Sequence, residues 1–167
     1  AIVVIDGPNS RWNVTDDQLL VGGQGDGELH IRNGAYHHSD QVFIGQGQQG
    51  PTGIVAVHGA GSTWDISQTF HLVNGQVTLA EGGTLRLAAD RGGLIGERGT
   101  LTLDDGRLIG GQFGPRLDNE GTITGDGEIE PVVENRHVGI VRVGPEQHLV
   151  LGGLVNQASV EVDRGEL

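Results

Sequence analysis

The sequence contains no cysteine and no lysine, and among its 167 residues only 3 are Phe, 2 Trp and 1 Tyr. Without cysteine there is no disulfide framework and no thiolate metal site. Without lysine, all 10 basic residues are Arg, and the Lys–Asn or Lys–Asp isopeptide bonds that staple some surface domains cannot form. Stability must then come from ladder hydrogen bonds and stacked apolar side chains. A compact globule fills its centre with large side chains. Here the apolar residues are mostly Val, Ile and Leu, spread evenly, so the expected core is long and thin. No apolar run approaches the roughly 20 residues of a membrane-spanning helix. The opening run Ala1-Ile-Val-Val-Ile5 is too short for a signal-peptide core and lacks a basic flank. The chain does not begin with Met, which suits a processed or excised piece.

What is abundant is glycine and negative charge. The 31 glycines are about two and a half times the share expected from an average usage of about 7%. Disorder would account for so much glycine, but apolar and polar residues alternate throughout, which a disordered chain has no reason to do. Twenty-two acidic residues give a formal net charge of −12. That balance argues against nucleic acid and anionic membranes as partners, because both require clustered positive charge.

Repetition organises the rest. Gly7-Pro-Asn-Ser10-Arg-Trp12-Asn-Val14 returns as Gly59-Ala-Gly-Ser62-Thr-Trp64-Asp-Ile66, and Val3 and Ile5 match Val55 and Val57 at the same offset. Between the copies, Leu19-x-Val21-Gly22, Gly25-x-Gly27 and Leu29-x-Ile31 up to Gly34 describe short strands joined by tight bends. No segment sustains the three-and-four apolar spacing of a helix. From residue 77 the pattern loosens into pairs such as Val77/Leu79, Leu85/Leu87, Leu101/Leu103, Ile140/Arg142 and Val160/Val162. A second signature is apolar-x-Asn: Leu117-Asp-Asn119, Val133-Glu-Asn135 and Leu154-Val-Asn156, each separated from the next by about one solenoid coil. Asparagines at one coil position can bond to one another as a ladder; the alternative is that each merely favours a turn.

The motif around Trp64, and the frame from Leu19 through Gly22, Gly25, Gly27, Leu29 and Ile31 to Gly34, resemble the repeat of type V secretion (autotransporter) passenger domains and PEP-CTERM, exosortase-sorted surface proteins. Val42-Phe-Ile44-Gly45 and Gly53-Ile-Val55-Ala-Val57 continue the likeness, which covers roughly residues 1–76. Arg11 stands where Thr is usual, and Val73-Asn-Gly75 where Val-Gly is expected. Residues 77–167 resemble only the looser coils of extracellular β-helices. The resemblance implies a secreted β-helix on a bacterial cell surface.

Candidate chemical sites each have a plainer reading. Gly22-Gly-Gln-Gly-Asp26-Gly-Glu28-Leu29 is similar to a calcium-binding glycine-rich nonapeptide, but its Asp comes one place early and the motif is not repeated in tandem. Asp104-Asp105 and Asp126-x-Glu128 could flank a glycosidic site, yet in so acidic a chain they suit exposed corners. His37 and His38 point to opposite faces of a strand and cannot clamp one metal without a bulge. Arg86, Arg98, Arg107 or Arg142 could serve as a base of the kind used by β-helix polysaccharide lyases. Trp12 and Trp64 could stack on sugars, but recurrence with the scaffold glycines points to plugs of equivalent turns.

The sequence therefore predicts an all-β, right-handed parallel β-helix (β-solenoid), elongated, with a tryptophan-repeat part over 1–76 and continuing coils over 77–167. The repeat positions Gly7, Ser10, Trp12, Gly22, Gly25, Gly27, Gly34, Gly59, Ser62, Trp64, Asn119, Asn135 and Asn156 are expected to be structural. No cofactor and no catalytic residue is assigned. Val3, Ile5, Leu29, Ile31, Val55, Val57, Leu101, Leu103, Ile123, Val160 and Val162 are expected to point inward. Neither end offers a cap, so the expected partners are a second copy joined end to end or flanking parts of the same polypeptide, with surface glycans or neighbouring cells as further candidates. The runner-up is a β-helix that binds or cleaves carbohydrate, such as a phage tailspike.

Overall fold

The computed structural model describes residues 1–46, 50, 52–88, 92–110 and 116–167. Every regular element among them is a strand: β1 (Ile2–Asp6), β2 (Arg11–Val21), β3 (Gly27–Arg32), β4 (Tyr36–Ile44), β5 (Gly53–His58), β6 (Thr63–Ala80), β7 (Thr84–Leu87), β8 (Gly93–Gly110), β9 (Arg116–Asn119), β10 (Thr122–Asn135), β11 (Ile140–Val143), β12 (Leu149–Asn156) and β13 (Ser159–Val162). All the strand pairings are parallel, and they join the strands into a single sheet wound as a β-solenoid.

Register defines three faces. On the first, Val3, Leu29, Val55, Val77, Leu101, Ile123, Val141 and Val160 stand directly over one another. On the second, the column runs Trp12, His37, Trp64, Leu85, Leu108, Ile129 and Leu151. On the third it runs Val21, Ile44, Leu72, Ile95, Asn119, Asn135 and Asn156. Alternate residues of each strand thus line one continuous core, as period-two patterning demands. The tryptophan repeat is two coils long: Val3 pairs with Leu29 and Leu29 with Val55, in equal steps. Later coils are shorter, and the last first-face step runs only from Ile140 to Ser159.

Packing needs one glycine in particular. On the third face Gly93 lies between Phe70 and Leu117, and a Cβ on it would come within 2.9 Å of the Phe70 ring and 3.0 Å of Leu117. The aromatic ring fits because that neighbour has no side chain.

Expectations about the terminal coils and about β11 need correcting. Val3 and Val162 are 41% and 48% exposed, and Val160 is half-buried. They occupy inward positions, but in the terminal coils no further coil covers them. In β11 the frame is one residue off: Val141 and Val143 are buried, whereas Ile140 and Arg142 face outward. The remaining expected core residues are buried.

Candidate functional site: stacked columns and open ends

The repeat positions hold equivalent jobs in successive coils. Gly7 and Gly59 both adopt left-handed backbone, at φ 94° and 88°, where glycine alone carries no steric penalty. Three residues on, the Ser10 hydroxyl donates to the Asp6 carbonyl, and the Ser62 hydroxyl donates to the His58 carbonyl at 2.7 Å. Ser62 also accepts the Gly34 N–H at 2.9 Å, tying two coils together. Gly22 and Gly34 are likewise left-handed. Gly27 abuts the Gly22 backbone, while Gly25 has open space around it.

Between the two tryptophans lies a residue that repeat-matching could not pick out. His37 takes the tryptophan position in the intervening coil, its ring 4.5 Å from Trp12 and 6.0 Å from Trp64, nearly parallel to both. The hydrogen bonds fix its tautomer. The Trp12 carbonyl can only accept, so Nδ1 carries the proton, at 2.8 Å. Nε2 then accepts from the Ser39 hydroxyl at 2.7 Å, and Ser39 accepts the Trp64 indole N–H at 3.2 Å. Burial pushes the His37 pKa down to about 4 despite the Trp12 carbonyl, with a further push from His38. Adjacent His38 faces outward, as expected, between Asp40 at 3.4 Å and Asp65 at 3.6 Å.

The asparagines form a ladder. Asn119 Nδ2 donates to Asn135 Oδ1 at 2.7 Å, and Asn135 Nδ2 donates to Asn156 Oδ1 at 2.8 Å. Each amide also donates to a backbone carbonyl: Asn119 to Ile140 and Asn135 to Ser159, the first residues of β11 and β13, and Asn156 to Ala158 in its own bend. Asn119 and Asn135 are fully buried. Among the described residues, Asn119 Oδ1 is buried with no partner.

Several of the other candidates are engaged in holding coils. Asp26 accepts the N–H and hydroxyl of Thr52 at 2.9 and 3.0 Å, which pulls its pKa down. Glu128 pairs with Arg107 at 2.9 Å, Arg142 with Glu161 at 2.8 Å, and Asp126 accepts the His148 N–H at 3.1 Å. Asp105 sits at a left-handed corner, φ 60°. Glu134 lies between Arg116 and Arg136, and the Arg136 hydrogen bond, more than the Arg116 charge, lowers its pKa. Trp64 is fully buried and offers no sugar-stacking surface, and Trp12 is half-buried.

Two surfaces stand apart from this engaged exterior. At the N-terminal end, Val3, Trp12, Leu19, Val21 and Leu29 line a hollow of about 340 Å³. On the outside of the third face, Leu20, Phe43, His71 and Leu94 follow one another in register, with Phe43 edge-on to His71 at 5.1 Å. Gln18, Gln41 and Gln68 run beside the stripe, their amides 3.5 and 3.4 Å apart. No protein family, curated protein or solved structure matched the chain.

Proposed function

We propose that the chain is a structural or adhesive β-solenoid segment of a secreted bacterial cell-surface protein, part of a stalk, layer or fibre. The observation that carries this reading is the commitment of polar side chains to neighbouring coils. Arg32 reaches Asp6, Arg107 reaches Glu128, and the Asn ladder crosses three coils. Such a molecule spends its polar groups on being a continuous stack. The test is surface display: antibodies against the chain should label intact, unpermeabilised source cells. Labelling that appears only after permeabilisation overturns the reading.

A second reading has an observation of its own. The Leu20–Phe43–His71–Leu94 stripe beside the glutamine row offers apolar surface and amides together, which suits a neutral glycan chain. Co-sedimentation with insoluble neutral polysaccharides, lost on Phe43→Ala without loss of folding, would favour this reading over a purely mechanical one.

A further inference from the structure

The N-terminal end of the solenoid leaves core surface uncovered. Among the described residues β1 pairs only with β3, and β2 only with β4, so one edge of each carries backbone groups without strand partners there. Ile2, Val3 and Val4 are 66%, 41% and 49% exposed. Inward-directed Val3, Trp12 and Leu19 line the 340 Å³ hollow, a piece of core open to solvent. One face of the Trp12 ring is stacked on His37 at 4.5 Å; the other looks out of the stack.

We infer that this face is a docking surface for one more wide coil that continues the stack, a coil of the β3–β4 kind, with a flat ring laid over Trp12. The inference deepens the reading of the chain as a solenoid segment and rests on it. The column supplies the ring: it alternates Trp12, His37, Trp64, so the next place before Trp12 belongs to a residue of the His37 type. Register supplies the width, since the step from Val3 to Leu29 equals that from Leu29 to Val55. One charged pair agrees as well: a copy of β3 would set its own Arg32 over Asp6, as Arg32 stands over His58 now.

The chain's own ends do not satisfy these terms. Its C-terminal coil is narrower, stepping only from Ile140 to Ser159 on the first face. Where the N-terminal face presents Val21, the C-terminal face presents Asn156, whose amide is tied to Ala158. Head-to-tail contact would press that amide onto apolar surface, where an unpaired polar group is costly. Head-to-head contact would bring two acidic first coils together.

The test extends the full chain. A second copy of residues 27–53 replaces Ala1; the junction keeps Gly53, where a Cβ would come within 2.6 Å of Ile44, and Ile2–Asp6 then follows as Ile54–His58 does. This graft should raise the melting temperature by several degrees, slow amide exchange in β1 and cut acrylamide quenching of Trp12 several-fold. Trp64, already buried, supplies a constant background. A control graft of residues 140–157 ahead of Ala1, the narrow coil, should leave Trp12 as quenchable as in the parent. The inference is overturned if the wide graft fails to shield Trp12, if the narrow graft shields it equally, or if the parent chain alone already protects β1 by forming dimers or filaments. Absence of surface labelling would sink the functional reading and leave this outcome untouched, so the two failures are distinguishable.

Discussion

The wide coils at the N-terminal end and the narrower coils after them close the same triangular stack in two ways. In the first coil the chain leaves the third face at Val21, and the next strand opens only at Gly27. In the later coils it leaves at Asn119 and the next strand opens at Thr122. At the asparagine corners the side chain itself turns into the core: the Asn119 amide bonds the next asparagine and the Ile140 carbonyl of a neighbouring coil, so its buried donor group is met. The coils before it fill the same column with Val21, Ile44, Leu72 and Ile95; the strand ends in a loop after Val21 and Ile44, whereas β6 and β8 run on through the corners at Leu72 and Ile95.

The second face sharpens the contrast, because the wide coils fill it with rings and the narrow ones with Leu and Ile. Trp64→Ala should cost about 3–5 kcal/mol, the usual range for an aromatic removed from a packed core. Trp12→Ala should cost less than about half of that, since its outer face is already in water. Equilibrium urea denaturation of both variants decides the point, and equal costs would show that the terminal coil is packed as tightly as the interior.

Acid should strike the wide coils first. His37 titrates near 6.5 when unfolded and at about 4 in the stack, because burial penalises the charged ring. Between those values the unfolded chain holds a proton that the folded one does not, so stability is complete above pH 6.5 and falls as pH drops towards 4. The ceiling on this loss is roughly 3 kcal/mol from a shift of that size. The carboxylates Asp6, Asp40 and Glu134, whose pKa values are lowered by their hydrogen bonds to Asn33 and Arg32, Ser67, and Arg136 respectively, act at lower pH and with the opposite dependence on their own charge but the same sign in stability. Thermal melts between neutral pH and the His37 titration should show the slope in the parent, and His37→Phe should flatten it. An unchanged slope in that variant would remove His37 from the account.

Much of this was legible in residues, for identifiable reasons. Alternation and glycine bends pointed to parallel coils, and the apolar-x-Asn signature pointed to the ladder, because each depends on local spacing that stacking then repeats. The half-period did not show. Matching Trp12 to Trp64 spans two coils at once, since the coil between them uses a histidine that fills the same place by shape and ring stacking rather than by identity. The exposure of Val3 and Val162 was also hidden: their alternation is that of core residues, and only the end of the stack uncovers them. At β11, Ile140 and Val141 are both apolar, so composition alone did not choose the inward frame.

The ladder offers smaller but more discriminating tests. Asn135→Ala removes the middle rung, leaving the Asn119 donor and the Asn156 acceptor without their partner. A cost of about 1–3 kcal/mol is expected from a buried hydrogen-bonding group left unmet. Asn119→Leu should behave differently although it is equally buried. Asn119 stands at the seam where the apolar column ends, paired in register with Ile95, and its Oδ1 has no partner among the described residues. Replacing it by Leu deprives Asn135 Oδ1 and the Ile140 carbonyl of a donor, yet it also removes the orphaned oxygen and extends the contact with Ile95. These contributions oppose each other, and replacing polar by apolar groups of similar shape is often close to neutral. The expected change is therefore within about 1 kcal/mol of zero, read from the same urea curves. If Asn119→Leu costs as much as Asn135→Ala, the first amide is fully satisfied in solution, and the seam between the wide and narrow coils carries no unmet polar group.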